Sequence, residues 1–165
     1  MKNIKFTIIT FYQFKKIKKI ENLRKLLKEF CSFHKIKGTI ILANEGINGT
    51  LAGLTEPLDL LARKLTELQF TKLEKKKSLY DFMPFNRLKI KIKKEIVTFG
   101  EINLDVEKLT GKHIDSSKWN NLIKDKNTIL IDVRNNFEVE IGSFKNSINP
   151  NTKSFTEFKS YLKNN

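Results

Sequence analysis

GTIILANEGINGTLAG, residues 38–53, carries two short runs suited to a sheet, TIILA and GTLAG, with the polar segment NEGIN between them. β-Branched and aliphatic residues flanking a Gly/Asn-rich centre predict two strands joined by a hairpin connection. Gly38 is expected to end a preceding helix, Gly46 and Gly49 to permit the backbone angles of the connection, and Gly53 to close the second strand. Asn44 and Asn48 are expected to bond the turn from within, with Glu45 as its one charge.

Working outward, residues 4–14 (IKFTIITFYQF) read as a first strand, followed by a basic turn holding Lys15, Lys16, Lys18 and Lys19. From Glu21 to Ile36 the apolar residues Leu23, Leu26, Leu27, Phe30 and Cys31 recur at helical spacing and predict an amphipathic helix. Beyond the hairpin, Leu58, Leu61, Leu65 and Leu68 mark a second helix that opens near Thr55, Glu56 and Pro57, with proline at its first position. The polar stretch EKKKS is read as a connector, and YDFMPFNRLKIKIKKEIVTF as extended chain closed by Gly100.

Strand, helix, strand, strand, helix, strand is a ferredoxin-like βαββαβ order, so an α+β domain is expected over residues 1–100. Such a domain leaves one sheet face open, a surface RNA-binding domains often use. Residues 101–122 read as a connector with a short helix in DSSKWNNLI, capped by Asp115 or Ser116. In residues 123–165 a short buried strand at Ile129–Ile131 precedes DVRNNFEVE, and a last helix starts behind Ser154. One strand and one helix make only part of an α/β layer, so this second region is expected to be incomplete.

The 165 residues carry a net charge of +14. Residues 1–100 hold 22 Lys/Arg against 9 Asp/Glu, and residues 101–165 hold 10 against 9, so the excess is +13 in the first part and +1 in the second. A coding bias toward lysine would load both parts alike; the asymmetry points to a polyanionic partner. No apolar run reaches the roughly 18–20 residues that span a bilayer, and a membrane partner is not expected. The single cysteine, Cys31, excludes an intramolecular disulfide and fits a reducing cytoplasm.

Arg87, Lys89, Lys91 and Lys93 alternate with Leu88, Ile90 and Ile92. As a strand, this segment puts cations on one face at ~6.7 Å intervals, a spacing that can follow a phosphate backbone; lysines guarding a sheet edge would give the same pattern. Tyr80, Phe82 and Phe85 lie just upstream and could stack on bases, with one or two of them expected in the core. Cys31 lies on the apolar stripe of its helix and is expected to be a buried structural residue, His34 sits on a neighbouring face, and His113 is expected to fix a turn. Asp132 and Arg134 in IDVR, with Glu138 beyond, are expected to hold adjoining loops, or to support a neighbouring active-site loop. No phosphate-binding Gly loop, Ser/His/Asp motif or metal-ligand spacing is present, and no cofactor is evident.

Four segments, KGTIILANEGINGTLAG, MPFNRLKIKIKKEIVTFG, GKHIDSSKWNNLI and ILIDVRNNFEVEIGSFKNSINPNTKSFTEF, occur in this order over most of residues 37–158. Together they resemble the bacterial rhodanese-domain tRNA uridine hydroxylases. The resemblance implies an acylphosphatase-like first domain followed by a rhodanese-like one, tRNA as partner rather than DNA, and hydroxylation of the wobble uridine to 5-hydroxyuridine with molecular oxygen as co-substrate. It also implies that Asn44 and Asn48 hold or present RNA together with Arg87, Lys89, Lys91, Lys93 and Lys94. Where the family has Pro-Phe-Pro-Arg, this chain has Pro84, Phe85, Asn86 and Arg87. The family's C-x-G-G-x-R-C thiol loop has no counterpart in these residues, and Cys31 cannot stand in for it. The 165 residues are therefore expected not to hydroxylate alone; a separate chain carrying the rest of the rhodanese domain is one partner this reading admits. A non-catalytic RNA-binding protein is the alternative, with a sulfurtransferase less favoured because it too needs the thiol. Acylphosphatase activity is disfavoured by the lack of an Arg-bearing phosphate loop in the first hairpin.

Overall fold

β-Branched and aromatic side chains dominate Phe6–Phe14, which forms β1. In the computed structural model, which describes residues 5–97 and 111–164, this strand lies inside a five-stranded sheet. The chain continues through α1 (Ile20–Phe33), β2 (Lys37–Ala43), β3 (Gly46–Gly53), α2 (Thr55–Glu67), β4 (Glu74–Tyr80) and β5 (Leu88–Ile92). The strand order is β4-β1-β3-β2-β5, antiparallel except where β5 runs parallel to β2.

The expected α+β domain is present with one strand more than the sequence suggested. EKKKSLY is β4 rather than a connector, and all seven of its residues are exposed. It has no apolar alternation to betray it because it sits at the sheet edge, where lysines discourage pairing with another chain. The closure expected at Gly100 falls outside the described residues.

Both helices pack on one face of the sheet. Phe11, Ile40, Leu42, Ile47, Leu51 and Ile90 from the strands meet Leu27 and Cys31 of α1 and Leu58, Leu61 and Leu65 of α2, all buried. The alternate strand residues point to the other face, which neither α1 nor α2 covers.

α1 ends before Gly38, by a different device from the one expected. Lys35 adopts φ 55°, its N–H donates to Ser32 O (3.1 Å), and Ile36 N–H donates to Cys31 O (2.8 Å). That is a Schellman end with lysine where glycine is usual. α2 closes the same way through Gln69, φ 68°, with Gln69 N–H to Thr66 O and Phe70 N–H to Leu65 O both at 2.9 Å. Gly38 lies within β2 at φ +124°, where a Cβ would stand 2.2 Å from Thr50 O. Pro57 is the third residue of α2 rather than the first, still within the turn whose N–H groups lack helical partners.

The hairpin turn is only Asn44–Glu45, since Ala43 already pairs with Gly46. Neither Gly46 nor Gly49 has a positive φ, so the expectation about backbone angles is replaced by close approach: a Cβ at Gly46 would meet Gln13 O at 2.3 Å.

The described residues 111–164 belong to a second unit. α3 (Ser116–Leu122) has Asp115 as its cap, as expected, the carboxylate accepting from Ser117 N–H at 2.9 Å. The buried strand expected at Ile129–Ile131 is instead one parallel bridge, Ile131 to Ile148, and Ile129 is 74% exposed. A parallel strand is buried only between neighbours, and among the described residues it has just one. α4 (Asn136–Ile141) and α5 (Phe155–Asn164) complete the unit. Of its described residues only Thr152 is buried, while Phe137, Ile141 and Phe144 stay exposed.

Candidate nucleic-acid interface

The alternation of Arg87 to Lys93 is resolved as the sequence suggests. Leu88, Ile90 and Ile92 face the core, so Lys89 and Lys91 project on the open face of β5, with Arg87 and Lys93 just beyond its two ends. Arg87, Lys91, Lys93 and Lys94 are exposed and Lys89 is half-buried. None of the five makes a side-chain hydrogen bond or ion pair with a described residue. Four other cations of this unit are engaged, Lys64 with Glu67, Lys77 with Asp59, Arg24 with Glu21 and Lys15 with the carbonyl of Gln69; what sets the five apart is their clustering along one strand.

Strand register extends this cationic edge into a surface. Lys76, Thr10, Thr50, Thr39 and Lys89 stand in one row across the open face, and Glu74, Tyr12, Asn48, Ile41 and Lys91 in the next. With strands ~4.8 Å apart, the edge lysines of the first row are about 19 Å apart at their backbones. Between them lie threonine hydroxyls, Thr10 bonded to Thr50 at 3.2 Å. The first row offers hydroxyls with a cation at each margin, a chemistry suited to phosphates and sugars, whereas the second has Glu74 at one margin and Lys91 at the other, with Tyr12 and Ile41 between them.

Of the three upstream aromatics none is in the core, contrary to expectation. Tyr80 and Phe82 are 44% and 59% exposed, held edge-to-face at 4.5 Å, and Phe85 is half-buried. Their neighbours explain this: β4 is an edge strand and the chain leaving it has no further sheet to pack on.

Asn44 is exposed at the hairpin tip. Asn48 does not bond within the turn; its Nδ2 donates to Ile96 O at 3.0 Å, and Glu45 Oε1 accepts from Ile96 N–H at 2.8 Å. The two side chains hold both backbone groups of one residue beyond β5. Sequence reasoning missed this clamp because its partner lies about 50 residues away.

Cys31 is fully buried and burial pushes its thiol up to about 12, so it is a core residue. His34 packs against the rings of Phe30 and Phe33, at 4.4 and 5.0 Å between centroids. In the second unit Asp132 is the hub of a loop staple. Its oxygens accept from Arg134 Nε (2.9 Å), Arg134 Nη2 (2.7 Å) and Ser143 Oγ (2.7 Å), and Arg134 Nη2 also donates to Gly142 O at 2.7 Å. These bonds from Arg134 and Ser143 hold the Asp132 carboxyl well below the usual range, and its side chain is 8% exposed. Glu138 accepts from the N–H of Asn135 at 3.2 Å, tying the start of α4. All three residues thus hold loops together.

The sheet order, the two helices on one face and the cation-lined edge define an acylphosphatase-like α+β domain. Residues 6–96 match the model of the UPF0176 acylphosphatase-like domain, and the chain belongs to that family. It is 44% identical over 161 residues to a tRNA uridine(34) hydroxylase of Agrobacterium fabrum (strain C58), an alignment covering 97% of this chain and 51% of that protein. The chain therefore spans about half the length of this relative. Solved structures are more distant. The dark-state BLUF protein BlrB aligns over 66% of this chain and 86% of its own at TM-score 0.46 and 12% identity. Full-length HypF aligns over 52% and 12% at TM-score 0.40 and 12% identity. Neither likeness bears on chemistry. No described helix is long and apolar enough to cross a membrane.

Proposed function

We propose that this chain serves the hydroxylation of the wobble uridine in tRNA, in the cytoplasm, with molecular oxygen as co-substrate, and that its first unit is the part that holds the tRNA. The observation that carries this reading is the set of five cations, Arg87, Lys89, Lys91, Lys93 and Lys94, without side-chain partners among the described residues, beside a sheet face that neither α1 nor α2 covers. The 44% identity to a tRNA uridine(34) hydroxylase supports it. Phosphate contacts by these side chains position the RNA, and exposed Asn44 at the hairpin tip adds a polar contact.

The 165 residues do not hydroxylate by themselves. The one thiol is locked in the core, and Asp132, Arg134 and Glu138 are engaged in internal bonds rather than aimed at a reacting atom. Their part is to shape the loop beside which the chemistry takes place, and the reacting groups come from outside these 165 residues. Mass spectrometry of digested tRNA tests the assignment: 5-hydroxyuridine is expected to fall in cells lacking the gene. Its restoration by these 165 residues alone would refute the division of labour, and its persistence without the gene would refute the assignment.

A further inference from the structure

Beside the flat cationic face the same sheet edge carries a cleft. Gly38 N–H donates to Arg87 O at 3.1 Å, drawing the 84–87 loop against the start of β2. Between that loop and the sheet lies a hollow of about 490 Å³ whose walls include Thr39, Phe85, Asn86, Arg87 and Lys89. This volume falls in the range of ~300–1,000 Å³ typical of small-molecule sites, far more than a lone phosphate fills. The lining is chemically one-sided: two cations, an amide, a hydroxyl and a half-buried phenyl ring, with no carboxylate. Neither Arg87 nor Lys89 has a side-chain partner among the described residues. A ligand that satisfies all of these groups joins an anion to a flat ring.

We propose that the cleft takes one unstacked nucleotide of a bound RNA, its base against the Phe85 ring and its phosphate on Arg87 and Lys89. Thr39 Oγ1 and the Asn86 amide are placed to bond the base edge or the 2′-hydroxyl. Single-stranded RNA is commonly held in this way, by a base laid on an aromatic ring within a basic groove. The proposal rests on the reading that the first unit binds tRNA and adds a defined subsite to it. A free nucleotide shares the chemistry; continuity of the cleft with the lysine row of β5 favours a nucleotide within a strand.

The test uses the full chain and unfractionated tRNA, with affinity measured across salt concentration. Phe85→Ala is expected to weaken binding on the order of tenfold with the salt slope unchanged, whereas Phe85→Tyr, which keeps the ring, binds within about twofold of the parent. Arg87→Gln is expected to weaken binding and flatten the slope by about one unit. If Phe85→Ala does not fold, as circular dichroism reports, Arg87→Gln and Lys89→Gln decide. Unchanged affinity in the folded variants, with loss on Lys91→Gln and Lys93→Gln, overturns the subsite and leaves the tRNA reading standing. A parent chain that binds no tRNA overturns both. Uridine monophosphate that competes at micromolar concentration overturns the assignment to a nucleotide within RNA.

Discussion

Removing the Glu45 carboxylate isolates the clamp that ties the segment beyond β5 to the β2–β3 hairpin. Ile96 is 2% exposed, its N–H meets Glu45 Oε1 at 2.8 Å, and its carbonyl meets Asn48 Nδ2 at 3.0 Å. In Glu45→Ala that N–H is left buried without an acceptor. A hydrogen bond to a charged group contributes about 1.5–3 kcal/mol, and an orphaned buried donor costs about 1–3 kcal/mol, so a loss of about 2 kcal/mol is expected. With a urea slope near 2 kcal/mol/M the midpoint falls by about 1 M. Far-UV circular dichroism is the appropriate probe, because the single tryptophan, Trp119, lies in the second unit. Amide exchange at Ile96 gives a local readout. Glu45→Gln keeps an acceptor oxygen and is expected to recover about half of the loss. Asn48→Ala is expected to cost about 1 kcal/mol, and the double variant less than the sum of the two, since both side chains grip one residue. A midpoint shift below about 0.2 M for Glu45→Ala, with Ile96 exchange unchanged, refutes the clamp.

Three further outcomes follow from single features. Cys31, buried and with its thiol pushed up to about 12, is expected to resist Ellman's reagent in the folded chain and to react once urea unfolds it; fast labelling of native protein contradicts its place in the core. Lys35→Gly is expected to stabilise the chain by about 0.5–1 kcal/mol, because the Schellman position has φ 55° and glycine adopts that conformation without a Cβ penalty; a lower urea midpoint counts against it. The depressed carboxyl of Asp132 binds its proton more weakly folded than unfolded, so the staple's contribution is complete above the unfolded value near 4 and declines as pH falls below it. An NMR titration of the Asp132 carboxyl carbon with its midpoint near 4 removes the argument, as does Asp132→Asn leaving the amide exchange of Gly142 and Ser143 unchanged at neutral pH.

The parts of the fold legible in the sequence are those whose periodicity reports burial. Leu58, Leu61 and Leu65 fall at helical spacing because α2 has one buried face, and Leu88, Ile90 and Ile92 alternate with cations because β5 has the same. β4 was hidden for the converse reason: with seven exposed residues, its strand character comes from pairing with β1 through the backbone, which leaves no side-chain pattern. The helix ends were hidden too, since Lys35 and Gln69 occupy positions where glycine is the usual signal. In the second unit the apolar run at Ile129–Ile131 suggested a buried strand, yet burial depends on neighbours that the run itself does not specify.

The candidate site divides along a similar line. The cation row of β5 was legible because alternating lysine and isoleucine has one strand geometry, whereas the cleft beside it needed the 84–87 loop to be brought against Gly38 and Thr39, some 50 residues away in sequence. In sequence NEGIN reads as a turn that holds or presents RNA, but Glu45 and Asn48 turn inward to grip Ile96. That grip bears on the cations as well. Lys93 N–H donates to Leu42 O at 2.8 Å, so Lys93 and Lys94 are held between the last ladder bond of β5 and the clamp three residues on. Their side chains bond no described residue while their backbone is fixed. A surface that recognises phosphates gains from that combination, because fixing the backbone in advance lowers the entropy lost when the charges meet their partner. The hairpin that decides the fold therefore acts on the interface at one remove, by setting where the basic edge ends.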